Sequence, residues 1–367
     1  MNIIIINREQ ILTPLQHVIG AVERKQTLPI LGNVLIQSDN GKLTLTATDL
    51  EIELIASLDI TVTEDFSTTV PARKLLDICK ALPQNSEIKF TFEEHKVILN
   101  SGRSRFSLAT LLSKDFPKID EMKSLGQFSL PQKVLKLLID KTAFAMAQQD
   151  VRYYLNGMLL ELSKDGIRLV ATDGHRLALS EYNESTGLSA EKQLIIPRKG
   201  VLELARLLMP VDDDVIITLS QNHIRAETTD LVFTSKLIDG KYPDYNRVIP
   251  VDGNKKMSVN RELLKQSLHR ISILSNEKYR GIRLIFSENN LSIQANNPDQ
   301  EEAEEEITVQ YNESNIEIGF NVTYLLDVLS VLESEEIEIN LKDSNSSCII
   351  TSTESNLFRY VVMPMRL

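Results

Sequence analysis

The chain has 367 residues, 42% of them hydrophobic and 25% charged, with a formal net charge of −11 and only two cysteines. That is the composition of an ordinary globular protein, long enough for two or three domains. No apolar run approaches the ~18 residues needed to cross a bilayer. Cys79 and Cys348 are too few and too far apart for a disulfide framework, a zinc cluster or a redox pair, so both are expected as buried free thiols.

The opening run, Met1 to Asn7, lacks a basic leader and reads as a first strand. From Asn7 to Lys25, Ile11, Leu12, Leu15, Val18, Ile19 and Val22 recur at 3–4 spacing, which predicts a helix capped by Asn7. Short alternating strands follow, then a shorter helix from Pro71 to Leu82, then more strands. The pattern returns with Pro131 to Arg152, Pro131 being placed in the first helical turn, and with Pro197 to Met209. It returns again with Asn260 to Arg280, capped by Asn260, and Asn321 to Glu333. Each third therefore reads strand, helix, strands, twice over. This predicts an α+β fold of three repeated domains, each an internal duplication with two helices on antiparallel sheet.

The repeat is also visible in the letters. Ala47-Thr48-Asp49-Leu50 returns 124 residues later as Ala171-Thr172-Asp173-Gly174, and after a further 124 as Ala295-Asn296-Asn297-Pro298. A period of that length is a whole domain. It divides the chain into 1–125, 126–253 and 254–367. Three copies of one domain suggest a curved array, and a curved array can close into a ring.

Charge is distributed unevenly over these elements. The six predicted helices carry 18 Lys/Arg against 10 Asp/Glu, in a chain whose total is 40 against 51. An acidic protein that gathers cations on one class of element has a positive face for a polyanion. Few aromatics interleave them, so contact with a duplex backbone fits better than stacking on single strands.

Several longer motifs carry a family resemblance. Gln149-Asp150-Val151-Arg152-Tyr153-Tyr154-Leu155-Asn156-Gly157, Ala171 to Ala178 and the terminal Val361-Val362-Met363-Pro364-Met365-Arg366-Leu367 resemble the bacterial sliding clamps, the beta subunits of DNA polymerase III. Thr27 to Asn33, Ser101 to Phe106 and Ile273 to Lys278 agree, so the resemblance spans the chain. It implies a head-to-tail homodimeric ring with helices inside and sheets outside. Such a ring encircles duplex DNA without reading sequence and tethers a polymerase in the cytoplasm. Twelve helices ~10 Å apart would leave a bore of about 28 Å, loose around a duplex of about 10 Å radius.

The resemblance also implies sites. A cleft for a short peptide with apolar anchors, carried by the replicative polymerase, the clamp loader, and repair and translesion polymerases, would be formed by Leu155, Thr172, Gly174, His175, Arg176, Leu177, Pro243, Arg247, Val248, Asn321, Tyr324, Val361, Val362, Met363, Pro364, Met365 and Arg366. Methionines suit such a cleft because they repack readily around different ligands. The residues expected to face DNA are Arg24, Arg73, Gln149, Tyr153, Tyr154, Arg198 and Lys199. The dimer contact would set Ile273 and Leu274 against Arg103, Arg105, Phe106 and Leu108 of a second copy. No cofactor, metal or membrane is implied. The acidic run Glu301 to Glu306 reads as a solvated face.

Two rival readings stand beside this one. Asp173 and His175 suggest a hydrolase, but no third group or oxyanion site accompanies them, so Asp173 reads as a turn residue and His175 as a wall of the cleft. A scaffold that binds peptides without surrounding DNA is opposed chiefly by the charge split.

Overall fold

A computed structural model describes residues 2–23, 28–39, 41–62, 64–119, 122–188, 191–250 and 253–366. Among them are six α-helices: α1 (Arg8–Val18), α2 (Ala72–Ala81), α3 (Gln132–Asp140), α4 (Arg198–Leu207), α5 (Arg261–Ser272) and α6 (Val322–Val331). All six expected helices exist, but α1, α3 and α5 stop well short of Lys25, Arg152 and Arg280. After Asp140 the chain makes short 3-10 turns at Ala143–Ala145 and Tyr153–Asn156. Ile19–Ala21 is likewise a 3-10 turn. The apolar spacing beyond these ends reflects buried turns, which bury side chains without helical backbone.

The helix starts follow the repeat. The Asn260 carboxamide accepts the Leu263 N–H at 3.0 Å, as a capping residue should. At Asn7 the backbone N–H donates to Gln10 Oε1 at 2.9 Å, one half of a capping box. Pro71, Pro131 and Pro197 are not in the first helical turn; each is the last residue of a strand. A proline ends a strand as readily as it opens a helix, since its missing N–H costs nothing at either place.

Contacts gather into two compact units, one of residues 1–133 and 202–237, the other of 134–201 and 238–367. Each unit holds one four-stranded and one eight-stranded antiparallel sheet. In the first unit, the eight-stranded sheet joins two four-stranded halves where Leu231–Lys236 pairs with Ile52–Thr61, from Leu231 opposite Ala56 to Ser235 opposite Ile52. In the second unit, Phe358–Val362 pairs with Arg176–Tyr182, from Phe358 opposite Ser180 to Val362 opposite Arg176. These two junctions occupy equivalent places in the repeat. Each four-stranded sheet ends in an open edge: Ser104–Ala109 in the first unit, Glu302–Thr308 in the second.

Polar locks reinforce both junctions. In the first unit, Arg206 of α4 donates to the carbonyls of Gln16 (3.0 Å) and His17 (2.6 Å) at the end of α1. In the second, the buried Lys141 donates to the carbonyl of Val331 at the end of α6 and to Glu333 at 2.5 Å. Each cation satisfies carbonyls that a helix terminus leaves unpaired and sits at the negative end of the helix dipole. Cys79 and Cys348 are buried and unbonded, and burial pushes each thiol up to about 12.

Glu53 lies in the first junction, 4% exposed and opposite Thr234. Burial pushes its carboxyl above the ordinary value, opposed by the Ile119 N–H at 3.2 Å and by Arg225 and Lys118. A raised acid binds its proton more tightly when folded. Its contribution is therefore full below the unfolded value of 4.5 and lost as pH rises through the folded one. Glu53→Gln is expected to raise the melting temperature by a few degrees at neutral pH. That gain should shrink toward zero in a calorimetric series run down to acid pH.

Candidate functional site

The strand Gly166–Thr172 ends in a tight turn that the sequence closes upon itself. Thr172 Oγ1 donates to the Arg176 carbonyl at 2.6 Å and accepts the Gly174 N–H at 3.0 Å. Asp173 Oδ1 accepts the N–H groups of His175 (2.9 Å) and Arg176 (3.0 Å). Gly174 sits at φ +89°, in the left-handed region where glycine bears no steric penalty. Asp173 is thus committed to backbone and to Arg176 Nε at 3.2 Å, as a turn residue rather than a base for His175.

The C-terminal tail docks on this turn. Beyond the paired strand, the Met363 N–H donates to the His175 carbonyl and the Met365 N–H to that of Gly319, both at 2.9 Å. Leu155, Leu177 and Val361 form one buried cluster with Tyr242 and Tyr245, and Val248 packs partly buried against it. Val362 points the other way and is wholly buried in the sheet. Above the cluster, the His175 ring stacks on Tyr324 with centroids 6.3 Å apart. Asn321 begins α6, its Oδ1 accepting the Thr323 N–H at 2.9 Å. Met363, Pro364 and Met365 are half-buried; His175, Pro243, Arg247 and Arg366 are exposed. The result is a buried apolar cluster overlaid by the His175 and Tyr324 rings, with Met363, Pro364 and Met365 half-buried at its margin.

Arg176 is the keystone of this arrangement. Its guanidinium bonds Asp327 and the Phe144 carbonyl (2.9 Å) and lies 4.7 Å from the Tyr324 ring centroid and 5.2 Å from that of Phe144. Four partners of this kind exploit planar stacking and forked donors that lysine lacks.

Three contributors escape a reading of the letters. Arg152 pairs with Asp150 (2.8 Å) and donates to the Asp173 carbonyl (3.1 Å), lying over Gly174. That bond, with a second from the Arg152 backbone, holds the Asp150 carboxyl down at about 2. Tyr242 and Tyr245 carry no signal in the letters, yet Tyr242 Oη accepts the Thr172 N–H at 3.1 Å. The Asp-x-Arg spacing at 150–152 was the one available signal.

Of the residues expected at DNA, Arg24 lies outside the described residues. In the first unit, Arg73 is exposed on α2 and reaches the Val22 carbonyl at 3.3 Å. The second unit brings five together. Arg198 donates to the Met146 carbonyl at 3.3 Å, tying the start of α4 to the segment that carries Gln149, Tyr153 and Tyr154. Gln149 adopts φ +57°, and Tyr153, 56% exposed, meets Tyr154 edge-on. Lys199 is exposed beside them. With the true helix bounds, the six helices still hold twelve Lys/Arg against six Asp/Glu.

The residues expected at a dimer contact lie at surface positions on separate elements. Arg103 and Arg105 are exposed and Phe106 half-buried, while Leu108 is already buried under its own sheet. Ile273 caps the end of α5 and is 71% exposed, with Leu274 half-buried beside it.

A thrice-repeated α+β chain with antiparallel sheets and cation-bearing helices belongs among the DNA clamps. Family models for the N-terminal, central and C-terminal domains of the DNA polymerase III beta subunit match residues 1–120, 129–244 and 246–366. The beta sliding clamp of Pseudomonas aeruginosa is 54% identical over 363 residues, and that of Escherichia coli K12 50%, each match covering 99% of both chains. A crystal structure of the P. aeruginosa subunit superimposes with a TM-score of 0.97 at 53% identity, covering all of both chains. Another P. aeruginosa clamp structure, equally similar, is bound to griselimycin. The chain belongs to the DNA polymerase III beta subunit family.

Arg176→Met should lower stability by about 2–3 kcal/mol, the scale of lost charge-assisted hydrogen bonds. Arg176→Lys should recover little of it. Urea unfolding monitored by circular dichroism reads both.

Proposed function

We propose that the chain is a cytoplasmic sliding clamp: a non-catalytic, head-to-tail homodimeric ring that encircles duplex DNA and tethers the replicative polymerase. Family membership over the whole length carries this reading. The domains are taken as 1–125, 126–253 and 254–367. No helix among the described residues is long and apolar enough to cross a membrane. The cleft around Leu177, Tyr324 and Met363 receives the peptide motifs of polymerases, clamp loader and repair proteins. The exposed Arg73, Gln149, Tyr153 and Lys199 run along phosphates without reading bases.

Ring closure is supported by the sheets. Two repeat-equivalent junctions are internal, and their two counterparts, Ser104–Ala109 and Glu302–Thr308, are open edges. Pairing them between copies closes a head-to-tail dimer and leaves neither of these two edges open. Carrying the internal registers through the repeat sets Arg103 opposite Glu306 and Arg105 opposite Glu304. This gives the acidic run a role in specifying the partner, a better use than a merely solvated face. Ile273 and Leu274 then supply apolar contact beside Phe106.

Ile273→Ala combined with Leu274→Ala is expected to give folded monomers, and a double mutant still dimeric at low micromolar concentration in sedimentation equilibrium would count against the interface. Topology has its own test. Protein loaded onto a nicked circular plasmid by a bacterial clamp loader and ATP should co-elute with the circle and leave it after linearisation. Retention on both forms would mean ordinary surface binding.

A further inference from the structure

The segment 239–250 supplies Pro243, Arg247 and Val248 to one wall of the cleft, yet its only regular structure is the short turn Tyr245–Val248. Such a loop moves unless something pins it. Tyr245 is buried to 4% exposure, and its hydroxyl donates to Glu161 and accepts from Arg168 Nη1 at 2.9 Å. Arg168 Nε donates in turn to Glu181 Oε1 at 2.7 Å, and Glu181 Oε2 accepts from Arg359 Nη2 at 2.6 Å. Arg359 stands on Phe358–Val362, the strand that runs directly into the tail forming the opposite wall. The charged members alternate in sign, and the neutral Tyr245 hydroxyl bridges Glu161 and Arg168.

Resting on the reading of this cleft as the partner pocket, we propose that the row Glu161, Tyr245, Arg168, Glu181, Arg359 fixes the two walls relative to each other, with Tyr245 as a positioning residue for the bound peptide. Burial, then the adjacent Glu161, pushes the Tyr245 hydroxyl up to about 12, so it stays a neutral donor at physiological pH. Arg168 Nη1 and Glu161 also pair directly at 3.3 Å. Removing the hydroxyl therefore leaves the sheet its ion pair and frees only the loop. A peptide must then order the loop as it binds, and apparent affinity falls with the fraction of molecules already competent.

The test uses the full chain, a fluorescein-labelled decapeptide with leucine and phenylalanine anchors, and hydrogen exchange of the loop amides. Tyr245→Phe should raise Kd about tenfold, the effect of a competent fraction reduced to about a tenth. Exchange at residues 244–248 should quicken in the absence of peptide. Arg359→Met should weaken binding in the same direction, Arg359→Lys should recover part of it, and the double variant should be no worse than the stronger single one. A Tyr245→Phe protein that melts lower but binds with unchanged Kd and unchanged loop exchange has lost only structural support, and the positioning role is wrong. Failure of the unmodified chain to bind the decapeptide would instead remove the pocket reading, and this proposal with it.

Discussion

Backbone groups at the edges of antiparallel half-sheets must find partners, and much else in this chain follows from where they do. An unpaired edge strand is a row of donors and acceptors that will recruit some other strand. At the first junction the Ser57 N–H reaches the Asp230 carbonyl at 2.8 Å, and the Lys236 N–H reaches that of Glu51 at 2.9 Å. At the second, Glu181 reaches Leu357 and Met363 reaches His175, both at 2.9 Å. These are the same bonds at equivalent repeat positions. The second set lays the tail across the Thr172–Arg176 turn, so the cleft is a by-product of continuing a sheet across a domain boundary.

Much of this was legible in the letters because it rests on repetition. The triplication, the six helices and the antiparallel class all follow from apolar spacing and recurring tetrapeptides. The overlong helices at 131–152 and 260–280 failed for a physical reason. Buried turns such as Ala143–Ala145 place Ala145 and Met146 in the core at intervals that imitate a helix face. Apolar residues such as Met363 and Met365 fray unless they dock, and here their N–H groups bond the His175 and Gly319 carbonyls.

The cleft divides more sharply. Family resemblance named Leu155, Leu177 and Val361, which share one buried cluster, but not the electrostatic frame around them. Arg176 with Asp327, and Arg359 with Glu181, join residues separated by 151 and 178 positions. No local pattern signals such pairs; only the strand register brings them together. Tyr242 and Tyr245 illustrate the same limit, since a tyrosine in sequence gives no hint whether its hydroxyl or its ring is the useful part.

The helix cations have a consequence for how tightly DNA is held. Arg206, Lys133, Arg270 and Arg261 are engaged by carboxylates, carbonyls or both. Arg198 also spends a donor on a carbonyl. Cations already neutralised within the protein displace few counterions from a phosphate backbone, so these five add little to the free energy of counterion release. For a ring closed around a duplex, residence depends on whether the DNA has an end to slide off. Weak attraction is compatible with rapid one-dimensional diffusion, and enclosure supplies the persistence that affinity does not.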